Sequence, residues 1–473
     1  MKPTCNAFPA GVRAALADAN MQAAFRGLQR ATPIMRQAAI DRLPEFADLR
    51  AAAREIKDHV LANLDVYLER FEARVIESGG QVHWCESPED ARRLILDLCR
   101  AAGARTVTKG KSMVSEEIGI NEHLEAQGIR VVETDLGEYI VQQAGERPSH
   151  IIAPAIHKTL PQISDLFLER HTARGFDQRE ERPERLLAQA RAVLREDFLK
   201  ADVGITGANF LIAETGSAVL VTNEGNGDLT QTLPPVHIVV ASIEKVVPAF
   251  EDAACLLRLL ARSAAGQELT VYTTFTTGPR RADDADGPEA FHVVLLDNGR
   301  SALLGTPARE VLRCIKCGAC QNHCPVYGIA GGHAYGWVYA GPIGAALDPA
   351  FLGPAATRHL PAASTLCGRC EEVCPVAIPL PKIFRYWRGE AFAQKVTPRR
   401  ERAGLRLWAA LARHPGAYRC VVGMVSRALR LIAGRKGRLW RLPLAGAWTA
   451  ARDLPAPSEA PFFDQWRKRD KRR

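Results

Sequence analysis

Seven of the chain's 12 cysteines fall in two short stretches. One reads Cys314-Ile-Lys-Cys317-Gly-Ala-Cys320-Gln-Asn-His-Cys324-Pro325, the other Cys367-Gly-Arg-Cys370-Glu-Glu-Val-Cys374-Pro375. The first is C-x₂-C-x₂-C-x₃-C-P, the spacing with which a bacterial loop holds an iron–sulfur cluster. Three thiolates on one tight turn reach one cluster, and the small Gly318 and Ala319 let the backbone come close. The fourth cysteine points away, and the proline after it stops the loop from turning back.

In two-cluster arrangements that fourth cysteine ligates the other cluster. Cluster one then takes Cys314, Cys317, Cys320 and Cys374. Cluster two takes Cys324, Cys367 and Cys370. Aligned on its Cys-Pro, the second motif has Ser364 where its first cysteine would fall. Cluster two therefore reads either as a three-iron cluster or as a cube whose last iron binds serine, water, another side chain or a partner. A zinc ribbon also pairs C-x₂-C units, but it needs neither seven cysteines nor two Cys-Pro stops. A disulfide framework fits poorly with an N-terminus that lacks the apolar run of a secretory signal.

The elements that must hold these loops follow from pattern. Residues 1–78 carry apolar positions at helical spacing, such as Ile56, Val60, Leu64 and Leu68, and read as helical cover. Gly79-Gly80 ends them. Residues 79–300 alternate short strands with helices, which predicts a mostly parallel sheet with helices on its faces. Strands are expected near Val82–Trp84, Arg105–Lys109, Ile129–Glu133, His150–Ala153, Val203–Ala213, Ser217–Thr222, His237–Ala241, Leu269–Thr274 and Phe291–Leu296. Ser87-Pro88 is expected to cap a helix. Residues 301–392 carry the cysteines, with His323 and His333 read as packing and hydrogen-bonding residues rather than ligands.

Ligands of such sheets sit beyond the carboxyl ends of the strands. Lys109, Lys111, Glu214, Ser217 and Asn223, on loops rich in glycine and hydroxyls, are the candidates for a small-anion pocket. An alternative function rests on them: the α/β domain itself as an enzyme, with Glu214 as nucleophile or base. No Gly-x-Gly-x-x-Gly and no Walker motif is present, so no nicotinamide, flavin or nucleotide site announces itself. The expected role is to relay electrons rather than remove a hydride.

The net charge of +9 is uneven. From residue 395 onward 20 Lys and Arg face five acids, so the body is mildly acidic and the tail strongly basic. Leu405, Leu407, Trp408 and Leu411, and then Val421, Val422, Val425, Leu429 and Ile432, form apolar sets among arginines. Such a tail either packs on the body or lies on an anionic membrane surface. No recognition fold for nucleic acid accompanies the charge. The reduced thiols point to a cytoplasmic protein, with peripheral contact at the inner membrane face as the other location.

The chain resembles the lactate-utilisation protein B family. The resemblance is carried by Cys314–Pro325, Gly331-Gly332-His333-Ala334-Tyr335-Gly336, Gly341-Pro342-Ile343-Gly344-Ala345 and Leu366–Val376. Lys109-Gly-Lys-Ser-Met, Glu133-Thr-Asp-Leu-Gly-Glu138, Glu214-Thr-Gly-Ser217 and Thr222-Asn-Glu-Gly225 add to it upstream. It implies an α/β domain of the sugar-phosphate isomerase and CoA-transferase-like kind, followed by an α-helical ferredoxin domain; residues 393–473 read as a basic helical region from their own pattern, and the resemblance is weakest there. It implies two [4Fe–4S] clusters on the seven cysteines and a role in oxidising L-lactate to pyruvate. It also implies two partner proteins and an acceptor in the respiratory chain.

Overall fold

In this computed structural model, residues 2–110, 112–442, 446, 448–450, 452–458 and 460–470 are described. Ten strands between Gln81 and Leu296 form two sheets: β1 Gln81–Cys85, β2 Thr106–Lys109, β3 Arg130–Glu133, β4 Val203–Thr206, β5 Phe210–Ile212, β6 Ser217–Thr222, β7 Val236–Ser242, β8 Val246–Val247, β9 Tyr272–Thr276 and β10 Ala290–Leu296. The larger sheet runs β1-β10-β7-β4-β2-β3 and is parallel throughout. Its central strands are apolar on both faces, as a sheet covered on both sides requires. The chain leaves β2 toward β3 on one side, and leaves β4 toward β7 and β10 on the other. The order therefore reverses between β2 and β4.

The expected single sheet is in fact two. The run Val203–Ala213 breaks at Gly207-Ala208-Asn209, because Asn209 turns to pair with β6. Its backbone N–H donates to the Val219 carbonyl at 2.7 Å, and its Oδ1 accepts the Val221 N–H at 3.0 Å. The smaller sheet, β8-β5-β6-β9, is antiparallel except where β5 meets β8. His150–Ala153 is not a strand. Side chains there do what a neighbouring strand would: His150 Nδ1 accepts the N–H groups of Ile152 and Ala153, at 3.1 and 3.2 Å. The expected cap is present, with Ser87 and Asp90 bonding reciprocally at the start of helix Pro88–Ala101.

Four helices, Phe8–Ala17, Ala19–Asp41, Phe46–Ala62 and Leu64–Glu77, precede the sheet. The cysteine region is built from the short helices Ala319–Asn322, Tyr327–Ala330 and Arg369–Glu372 and the longer Leu380–Ala393. A Gly341–Thr357 segment is broken at Gly353. One apolar core runs through Phe25, Leu256, Ile315, Tyr327, Tyr339 and Phe384, so N-terminal helices, sheet region and cysteine region bury side chains together. Residues Met1–Ala393 accordingly form one compact unit.

A buried charge network ties the sheet to the cysteine region. Arg300, with no exposed surface, forks onto Glu117 at 2.7 and 2.9 Å and pairs with Glu244 at 2.9 Å. Tyr339 donates its hydroxyl to Glu117, and Lys316 sits 4.2 Å from the Tyr339 ring centroid. Burial alone would push Glu244 up. The charges of Arg300 and Lys316, with a Ser242 hydrogen bond, win and hold it at about 2.

Gln394–Arg473 form the second unit. It contains helices Arg399–Ala412, Pro415–Ala433 and Phe462–Asp470 and a two-residue ladder pairing Arg438–Leu439 with Leu454–Pro455. Leu405, Leu407, Trp408, Val425 and Ile432 are exposed. Among the described residues no helix is long and apolar enough to cross a membrane.

Candidate metal centre

The two cysteine loops have the same backbone, used twice. A tight turn at Arg309–Arg313 delivers Cys314 in extended conformation, and the helix His359–Ala363 delivers Ser364 likewise. Lys316 and Leu366 then adopt left-handed φ values of 59° and 56°, and Gly318 and Gly368 follow at 73° and 84°. The Lys316 N–H donates to Cys314 Sγ at 3.4 Å, and the Leu366 N–H donates to Ser364 Oγ at 3.2 Å. Short helices carrying Cys320 and Cys370 come next, then Cys324-Pro325 and Cys374-Pro375. Ser364 thus stands in the second loop where Cys314 stands in the first. Two non-glycine residues at positive φ in matching places indicate a geometry imposed by what the loops enclose.

The fields that the thiols exert on one another sort them. Cys317 feels Cys374 and Cys314, and Cys374 feels Cys314. Cys324 feels Cys367, and Cys370 feels Cys324 and Cys367. Cys320 feels Cys314, Cys317 and Cys374, and also Cys370, so it faces the second group. Each loop's last cysteine therefore keeps company with the other loop's first ones. One narrow cleft is lined by Cys324, Cys367, Cys370 and Ser364 together with Tyr335 and Phe384.

Burial, then the neighbouring thiolates, push Cys317 and Cys370 up to about 12. Burial pushes Cys374 to about 11 despite N–H donors from Val376 and Ile378. Thiols so crowded ionise together only when cations replace their protons. Backbone N–H groups of Lys316, Tyr327 and Ile378 lie 3.4–3.5 Å from Cys314, Cys324 and Cys374 sulfurs, donors that suit sulfur carrying negative charge. The donor set fits iron–sulfur clusters.

The N-terminal helices hold these loops by their carbonyls. Gln29 Nε2 donates to the Cys324 carbonyl at 2.6 Å, Arg36 Nη2 to that of Val373 at 3.0 Å, and Arg50 Nε to that of Cys374 at 2.7 Å. Sequence gave these helices the role of cover. The position of two arginines against the Cys374 turn had no signal in a single sequence, since the contacts span more than 300 residues.

The candidate anion residues are not brought together. Lys109 is buried between Glu116 at 2.5 Å and Glu133 at 2.8 Å. Glu116, Glu133 and Glu138 place carboxylate oxygens within 4.8 Å of one another, and the Lys109 ammonium offsets part of their charge. Burial, opposed by Lys109 and reinforced by Glu116, pushes Glu133 up to about 7. Lys111 lies outside the described residues. Glu214 is exposed on the β5–β6 turn and accepts the Phe250 N–H, capping the helix Phe250–Ala265. Ser217 bonds Thr215 and Thr277 at the same end of that hairpin. Among the described candidates, Asn223 lines a cavity of about 280 Å³ bounded also by Ser112, Lys245, Lys316 and Cys317. His323 and His333 each bond a backbone carbonyl, of Ala319 at 2.9 Å and Arg147 at 2.7 Å.

Three family models match the chain: the LUD domain over residues 68–296, the 4Fe-4S dicluster domain over 310–378, and the lactate utilisation protein B C-terminal model over 391–471. The chain is 44% identical to lactate utilization protein B of Bacillus velezensis, covering 100% of this chain and 99% of that one. It is 42% identical to the Bacillus subtilis protein of the same name, over 99% and 98%. It is 43% identical to an uncharacterized electron transport protein, YkgF, of Escherichia coli, over 98% and 96%. With full-length identity of this order and cysteine loops that interlock, the chain belongs to the lactate utilisation protein B family.

Proposed function

We propose that this chain is the iron–sulfur electron carrier of L-lactate oxidation to pyruvate, working with two partner proteins and passing electrons to an acceptor of the respiratory chain. The observation that carries the reading is that Cys374 lies within the electrostatic reach of Cys314 and Cys317, and Cys324 within that of Cys367 and Cys370, which supports an exchange of terminal cysteines between the two loops. Cys314, Cys317, Cys320 and Cys374 hold one [4Fe–4S] cluster. Cys324, Cys367 and Cys370 hold the other, with Ser364 Oγ as its fourth ligand. When bound, such clusters supply one-electron transfer, and two of them match the two electrons released when a 2-hydroxy acid becomes a keto acid and gives two protons to solvent.

The chain's residues do the rest. Tyr335, Phe384 and the apolar core cover the inner side of the cysteine cleft while Cys367 stays exposed, and Gln29, Arg36 and Arg50 fix the loops. Residues 1–78 serve as clasp, 79–300 as the α/β body, 301–392 as the cluster-bearing region and 393–473 as a basic tail. The parallel six-stranded sheet flanked by helices supports the sugar-phosphate isomerase and CoA-transferase-like assignment. The exposed Leu407 and Trp408 among arginines support cytoplasmic placement with peripheral contact at an anionic membrane surface.

Anaerobic reconstitution is expected to give roughly seven to eight irons per chain, as two clusters require. Cys374→Ser is expected to remove the same spectroscopic signal as Cys314→Ser, and Cys324→Ser the same one as Cys367→Ser. Zinc in place of iron, or uncrossed signals, would overturn the reading.

A further inference from the structure

The 280 Å³ cavity beside Cys317 lies in a place where sheets of this kind take ligands. Gly110 and Ser112 follow β2, Asp135 follows β3, Gly207–Asn209 follow β4, and Lys245 follows β7. Four neighbouring parallel strands thus send the loops after their carboxyl ends to one cavity, and the strand order reverses between β2 and β4 above it. Open α/β sheets bind small molecules in that crevice. Its volume is close to the lower bound of small-molecule sites, about 300 Å³.

The cavity is bipolar. Lys245 and Lys316 line the cavity together with Cys317, and the Lys316 charge adds to the cost of a charged Lys245. Lys245 donates to the Ala208 carbonyl, and among the described residues no carboxylate forms an ion pair with it. Burial pushes Lys245 down to about 8; Glu244 opposes this, and Lys316 and Arg300 add to it. An anion in the cavity relieves both effects. The other side carries Asp135 and Glu224, lining residues whose carboxylates accept the backbone N–H groups of residues 136–138 and are acceptors by chemistry. Met113, Ile152 and Leu260 supply the apolar wall between them.

We propose that this cavity binds a small hydroxylated organic anion, with its acidic group at Lys245 and Lys316 beside Cys317 and its hydroxyl toward Asp135 and Glu224. Carboxylate and phosphate ester share this chemistry. The site goes beyond the electron-transfer reading and stands on its own geometry.

Titration calorimetry on the anaerobically reconstituted full chain tests it, with L-lactate as the carboxylate probe and glycerol 3-phosphate as the phosphate ester. Saturable binding of at least one probe is expected, and which one binds names the head group. Lys245→Met is expected to weaken that binding by about tenfold or more, and Lys245→Arg to restore most of it. Ala264→Phe fills the cavity from its helical wall and is expected to abolish binding, which decides the matter should Lys245→Met fold poorly. The bound probe is also expected to alter the paramagnetic resonance line of the reduced cluster next to Cys317. The proposal falls if neither probe binds at about 10 mM, or if binding survives both Lys245→Met and Ala264→Phe unchanged. Titrated into chain already reduced with dithionite, neither probe can pass electrons to the clusters and the heats report binding alone, so failure here and failure of the electron-transfer reading are separate results.

Discussion

Arg36 offers the sharpest test of how the N-terminal helices act on the centre they clasp. The residue is 8% exposed, and its guanidinium donates to the Val373 carbonyl at 3.0 Å, one peptide from Cys374. It lies 5.6 Å from the Phe46 ring centroid, and among the described residues no carboxylate pairs with it. Its charge acts on the cysteine loops, where Glu372 partly answers it, and it lowers the cost of negative charge at Cys317. One hydrogen bond and one peptide put the charge about 7 Å from the Cys374 turn. At an effective dielectric of about 20, a unit charge at that distance is worth about 2 kcal/mol. For a one-electron couple tenfold is about 59 mV, so Arg36→Met is expected to make the cluster held by Cys374 harder to reduce by roughly 50–100 mV. Arg36→Lys keeps the charge and loses the fork, and is expected to shift it by less than half as much. The assay is an anaerobic redox titration followed by paramagnetic resonance, which reads the two clusters separately. A shift under about 15 mV would refute the electrostatic argument, and so would an equal shift of both clusters, since the second group of cysteines lies farther from Arg36. A purely mechanical role would instead appear as cluster loss with no change in potential.

The other predictions concern the loops and the charge network. Ser364→Cys is expected to keep four irons in the second cluster and make it harder to lose to oxidation. Ser364→Ala is expected to yield a three-iron signal on mild oxidation; Mössbauer spectra that match wild type in both variants would remove serine from the ligand set. Glu117→Gln leaves Arg300 buried beside one carboxylate fewer, and thermal or denaturant unfolding is expected to show a loss of about 3–5 kcal/mol. Glu244 has its pKa lowered from 4.5 to about 2. Its contribution to stability is therefore complete above about pH 4.5 and declines as pH falls toward 2, and acid unfolding of wild type against Glu244→Gln measures it. Gly332→Ala would set a Cβ 1.8 Å from the Ser149 carbonyl oxygen, so little soluble, cluster-bearing protein is expected. Normal yield would show that the loop around Ser149 can move.

What could be read from the sequence is what local spacing encodes. The C-x₂-C-x₂-C-x₃-C-P run, the Ser87-Pro88 cap and the apolar strands of the parallel sheet each carry their cause within a few residues. The second sheet was hidden because Asn209 ends one strand and starts another by bonding the backbone of β6, a contact that no periodicity reports. His150–Ala153 looked like a strand because Ile151 and Ile152 are β-formers, but Tyr327 donates to the Ser149 carbonyl at 2.7 Å and Asn322 bonds His150 at 2.9 Å, holding the segment against the cysteine region. The anion pocket was sought at Lys109 because a lysine after a strand has the reach. Whether such a lysine faces a ligand or three carboxylates depends on Glu116, Glu133 and Glu138 arriving from other elements. The lysines that do border a cavity, Lys245 and Lys316, occupy inconspicuous positions, one after a central strand and one between two cysteines. Lys316 also explains why the cysteine loop and the sheet had to fold as one unit. It belongs to the metal-binding motif by sequence, yet its charge answers Glu244 from the sheet and its side chain rests on Tyr339, whose hydroxyl binds Glu117. Cutting the chain between the α/β region and the cysteines would keep Arg300 with Glu117 and Glu244 but strip that group of the Tyr339 hydroxyl, the Lys316 charge and the apolar core shared with the cysteine region, which is why the two parts are expected to fail as separate domains.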